Sequence, residues 1–139
     1  MCVATLSLCG CRVVRVCNSD GGMEISQAEG TVPNIRSVDT CFRDGLSVES
    51  ALLKRNGLGF LVSSVTVRNR HGDPDDYDRE DPFAFEYRFT WFDSGGIEVL
   101  PDSTSWIRMK VGGGSTAQLS MTAPTKGSTA MVLRLRHAR

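Results

Sequence analysis

The sequence predicts an all-β protein: an antiparallel, immunoglobulin-like β-sandwich of about seven strands with an N-terminal tether. Three observations carry that expectation. Apolar side chains recur at every second position in several short runs, turn-forming residues separate those runs at close spacing, and no run holds a helical period. Fourteen glycines and few lysines agree with strands and turns rather than a helical bundle. At 139 residues, 40% apolar and 23% charged, the chain is about one domain able to bury its own core. Sixteen basic and sixteen acidic residues cancel, which argues against nucleic acid as a partner.

Residues 1–11 are small and apolar and end in Leu8-Cys9-Gly10-Cys11. This resembles a lipobox, in which small residues precede the cysteine that takes the diacylglycerol, so Cys11 is the candidate lipidation site. No run approaches the roughly 18 apolar residues of a spanning helix, so the membrane is reached through that lipid anchor. The apolar part is short and lacks a basic start, and segment 1–11 therefore reads as a truncated signal whose frame begins upstream of Met1.

Residues 12–40 read as a tether or edge segment. Val13, Val14 and Val16 supply material for one short strand, and the cluster Asn18-Ser19-Asp20-Gly21-Gly22 reads as a turn or linker. Five cysteines crowd toward this end: Cys2, Cys9, Cys11, Cys17 and Cys41. Cys17 and Cys41 are a candidate disulfide in an oxidising compartment. A rival reading gives Cys9, Cys11 and Cys17 to a soft metal, although no histidine lies near them in sequence.

The β-sandwich domain is assigned to residues 41–139. Leu46 to Arg55 alternates, with Leu46, Val48, Ser50 and Leu52 on one face. Asn56-Gly57 then predicts a two-residue type I′ turn, and Phe60 to Asn69 returns with Leu61, Ser63, Val65 and Val67 on one face. Residues 70–82 are polar and acidic. Asp73, Asp75, Asp76 and Asp78 are weak candidates for a hard cation, but the spacing misses a calcium loop, and a solvated loop is the plainer reading. Phe83, Phe85, Tyr87, Phe89 and Trp91 then fall at strict period two, which requires a face sealed against a second sheet. Trp106 is expected to pack near them.

A Gly95-Gly96 turn leads to a strand at Ile97–Leu100, and further strands follow over 106–111 and 117–122. The last, over 131–136, sets Met131, Leu133 and Leu135 against Val132, Arg134 and Arg136. The terminal cations Arg134, Arg136, His137 and Arg139 read as a solvated edge or a weak electrostatic surface.

The block Tyr87-Arg88-Phe89-Thr90-Trp91-Phe92-Asp93-Ser94-Gly95-Gly96-Ile97-Glu98-Val99 resembles the signature of the YcfL family of bacterial lipoproteins, with Tyr87, Phe89, Trp91, Asp93 and Gly96 at its core. The resemblance extends over about residues 41–136. It implies a sandwich domain on the periplasmic face of the outer membrane, held by its lipidated cysteine. It also implies genes lying beside a lipoprotein activator of a peptidoglycan synthase, and hence a link to cell-wall assembly. The acidic stretch at 70–82 departs from the family pattern.

No serine-hydrolase elbow, metalloprotease helix or phosphate loop is present, and there are only two histidines. The expected function is therefore a non-catalytic interaction module for another envelope protein, without a cofactor. The alternative is a small-ligand or soft-metal carrier using the N-terminal cysteines.

Overall fold

The computed structural model describes residues 22–37, 42, 45–70, 82–100 and 105–138. These form nine strands: β1 (Gly22–Ala28), β2 (Asn34–Ser37), β3 (Leu46–Arg55), β4 (Leu61–Asn69), β5 (Phe83–Asp93), β6 (Glu98–Val99), β7 (Ile107–Val111), β8 (Thr116–Thr122) and β9 (Ser128–His137). They pair antiparallel into a six-stranded sheet, β2-β1-β9-β5 with β6 and β7 both on the far side of β5, and a three-stranded sheet, β3-β4-β8. The molecule is an all-β sandwich, as the alternating pattern requires. No helix among the described residues is long and apolar enough to cross a membrane.

The core lies between the sheets. Phe85, Tyr87, Phe89 and Trp91 of β5 are buried, as are Met131, Leu133 and Leu135 of β9. Opposite them, Leu61, Val65 and Val67 of β4 and Leu119 of β8 are fully buried. Successive rings on β5 lie 6.1–6.3 Å apart, from Phe83 through to Trp91. Phe42, in helical backbone before β3, closes one end and meets Phe83 edge-on at 5.2 Å. Burial of the Tyr87 ring raises its phenol pKa above the ordinary value.

Four features differ from the alternating pattern read in the sequence. Residues 22–28, read as part of a tether or edge segment, are an interior strand. β1 pairs with β9 from Gly22↔Arg136 to Ala28↔Ala130, buries Met23 and Ile25, and leaves β2 as the edge. In β3 a bulge between Val48 and Ser50 inserts Glu49 and reverses the phase. Leu53 is therefore buried, whereas Leu52, expected inward, is 52% exposed.

The β3–β4 connection is not a type I′ turn. The left-handed residue is Gly59, at φ 87°, and Asn56 pairs with Phe60 across a three-residue loop. Finally, the strand at 97–100 shrinks to Glu98–Val99, because Gly96 (φ 76°) and Leu100 (φ 45°) bend the chain at both ends. The stretch of Val13, Val14 and Val16 lies outside the described residues.

Candidate functional site

β5 and β9 each bury one face and turn the other outward, away from the small sheet. The antiparallel register sets Glu86 opposite Arg136, Arg88 opposite Arg134 and Thr90 opposite Val132, and on the other flank Glu24 of β1 lies opposite Arg134. Two like charges directly across a ladder repel, and the neighbours relieve that repulsion. Arg134 donates from Nε to Glu24 Oε1 at 3.0 Å and from Nη1 to Thr90 Oγ1 at 3.2 Å. Arg136 donates to Glu86 Oε1 at 3.0 Å, with both side chains less than a quarter exposed.

Trp106, just before β7, lies on this outer face. Its ring takes the Arg136 guanidinium at 3.8 Å and the Arg88 guanidinium at 5.2 Å. Arg88 is ion-paired with no acidic side chain among the described residues, and its buried Nε–H has no acceptor. Further along the same face, Phe92, Ala130 and Val132 join Ser26, Ala28 and Val32 around a shallow depression of about 310 Å³. Val32, on its rim, is 85% exposed.

The candidates read from the sequence fall in three places. Cys9, Cys11, Cys17 and Cys41, with Asp73, Asp75, Asp76 and Asp78, lie outside the described residues, so the candidate lipidation at Cys11, the candidate Cys17–Cys41 disulfide and both weak metal sets are untouched by the structure. Among the described residues no group of three histidine, cysteine, aspartate or glutamate side chains is placed to hold a metal.

Tyr87, Phe89 and Trp91 are core, and Asp93 and Gly96 form the turn after β5. There Asp93 Oδ1 accepts from the amides of Gly95 (2.9 Å) and Ile97 (3.0 Å). Of the terminal cations Arg139 lies outside the described residues, and the other three are not one edge patch. Arg134 and Arg136 stand on an interior strand, while His137 turns inward against Phe42, 5.0 Å between ring centroids. Trp106 does not pack near the aromatic core as expected, because it belongs to the outward set of the sheet. Sequence reasoning missed Arg88, Glu86, Glu24 and Thr90. Their only signal is that they alternate with apolar neighbours, which is true of any exposed strand position.

A family model described as a protein of unknown function, DUF1425, matches residues 34–137. The chain belongs to the DUF1425 family. A crystal structure of a DUF1425 member from Shewanella sp. pv-4 superposes with a TM-score of 0.57 at 18% identity, covering 90% of this chain and 98% of that one. The structure of Campylobacter jejuni Cj0090 gives 0.50 at 18% identity, with 66% and 85% covered. At such identity the likeness is one of fold. No curated protein matches the chain. The DUF1425 match spans β2 to β9, and so includes Arg88, Trp106, Arg134 and Arg136, while β1 with Glu24 precedes it.

Proposed function

We propose that this DUF1425 chain is a non-catalytic interaction module of the bacterial envelope, of the YcfL type, tethered through a lipid on Cys11. One observation supports the interaction role above others. The outer face of the larger sheet, bearing the Arg88–Trp106–Arg136 stack and the depression beside Phe92, has no second layer over it among the described residues. A sandwich needs only its inner faces for stability. A ring in contact with two guanidiniums on the outward face supports a recognition role, since aromatic and arginine side chains dominate binding surfaces. The membrane address rests on the lipobox-like Leu8-Cys9-Gly10-Cys11 and on the family resemblance. The link to wall assembly rests on that resemblance alone.

Fractionation in the native cell tests the address. The parent chain is expected in the membrane pellet, with a lipid-bearing peptide that begins at Cys11, and Cys11→Ala is expected in the soluble periplasmic fraction. A Cys11→Ala protein that remains with the membrane would remove the anchor from the proposal.

A further inference from the structure

Arg88 and Phe92, one wall of the depression, lie on one strand, and the rest of the depression is built from β1, β9 and the turn into β2. Arg88 and Phe92 are four residues apart on β5, which places them about 13 Å apart at roughly 3.3 Å per strand residue. Both point outward, and Thr90 between them is held by Arg134.

At the Arg88 end the register brings Arg88, Arg134 and Arg136 together with Glu24 and Glu86, and sets Arg36 opposite Glu24 on the far flank. Glu24 and Glu86 are each bonded to one arginine, Arg134 and Arg136. Arg88 is left with no carboxylate, and its guanidinium is positioned by the Trp106 ring. A cation held in this way, with its forked donors unspent, suits a carboxylate. At the other end the depression is shallow and more apolar than polar, with Ser26, Gln27, Thr31 and Asn34 beside the apolar residues and Val32 proud of the surface, which suits one aliphatic side chain.

From this geometry we propose that the outer face of the six-stranded sheet binds an extended acidic segment of a partner protein. A carboxylate of that segment sits on Arg88, and an apolar side chain four residues away fills the depression between Phe92 and Val32. The spacing follows from the sheet, since an extended peptide advances along the face at the same rise per residue as β5 does. Charge complementarity favours a polypeptide carboxylate joined to an apolar residue over a bare anion, which would leave the depression empty. The inference deepens the interaction-module reading by naming the partner's chemistry. Its test uses purified protein, so it fails or stands independently of the anchor.

The experiment follows tryptophan emission of the purified full chain, in which Trp106 is the ring at the site and Trp91 is buried, during titration with the capped pentapeptide Glu-Ser-Thr-Ser-Leu at low salt. Controls are Lys-Ser-Thr-Ser-Leu, Glu-Ser-Thr-Ser-Ser and inorganic phosphate. The first peptide is expected to bind at least tenfold more tightly than either altered peptide. Arg88→Gln and Val32→Asp are each expected to weaken it at least tenfold, and Val32→Asp alters a side chain open enough to leave folding intact.

Three outcomes overturn the proposal. One is no saturable response at millimolar peptide. Another is phosphate acting as strongly as the peptide, which would make the site one for simple anions. The last is concentration-dependent self-association abolished by Val32→Asp, which would assign the face to a second copy of this chain.

Discussion

Asn69 ties the two sheets together through a single side chain. It is fully buried at the end of β4, and its Nδ2 donates to the carbonyl of Val111 on β7 at 2.8 Å. Its backbone receives Gly114 N–H and donates to Ser115, so the β7–β8 connection closes on it from both sides. Removing a buried amide strands the Val111 acceptor, and Asn69→Ala is expected to cost about 1–3 kcal/mol in urea unfolding. A loss under half a kcal/mol would show that the carbonyl finds water instead.

Arg55 does comparable work at the opposite end. It pairs with Glu29 at 2.7 Å and also donates to the carbonyls of Gly59, Lys126 and Ser128, joining three loops. The hydrogen bond from Arg55 lowers the Glu29 pKa below the ordinary glutamate value. A depressed acid stabilises the fold fully above its unfolded pKa, about 4.3, and that stabilisation is lost as the pH falls from there through the folded value. Glu29→Gln should therefore melt below the parent at pH 7, and the two curves should converge toward pH 3. Parallel curves across that range would mean that the pair contributes nothing.

At the scale of the element, the bulge in β3 makes the sharpest distinction. Alternation from Leu46 puts Leu52 inside, whereas the extra residue Glu49 puts Leu53 there. Leu53→Ala is expected to cost about 2–4 kcal/mol and Leu52→Ala less than about 0.5 kcal/mol. The reverse order in chemical denaturation would mean that the strand runs without its bulge.

The turns after β3 and β5 are two copies of one device. Asn56 and Asp93 each accept two loop amides on Oδ1 and pair with the residue four positions on, and each has a left-handed glycine at the third position after it. Since an amide oxygen serves in the first copy, Asp93→Asn should leave the midpoint unchanged, while Asp93→Ala should cost about 1 kcal/mol. Equal losses in both variants would show that the carboxylate charge matters instead.

These elements also show where the sequence is legible. β4, β5 and β9 announce themselves because a central strand with one sealed face has no freedom in its pattern, as in Phe85 to Trp91 or Met131 to Leu135. β1 does not. Met23 and Ile25 are a pair of apolar residues beside turn-forming glycines, and β1 takes its order from β9, more than a hundred residues away in the chain. A bulge is equally silent, since Glu49 looks like any polar strand residue.

At the scale of the whole molecule, the candidate face is a product of strand order. Arg134 and Arg136 are visible in the sequence as cations. Their partners Glu24, Glu86, Thr90 and Trp106 reach them only because β9 lies between β1 and β5, and because β7 flanks β5 on its far side. The same order explains why the two tryptophans part company. Trp91 is sealed between the sheets at 1% exposure, and Trp106 lies outside beneath the guanidiniums. The fold thus buries its aromatic row between the sheets and leaves the opposite face, on which the proposed recognition rests, uncovered by any layer among the described residues.

Acrylamide quenching of single-tryptophan variants addresses that division directly. With Trp106→Phe, the remaining Trp91 should emit at short wavelength and resist quenching. With Trp91→Phe, the remaining Trp106 should emit at longer wavelength and quench several-fold more readily. A Trp91 quenched as easily as Trp106 in the folded protein would contradict the sealed core, and with it the assignment of the outer face as the binding surface.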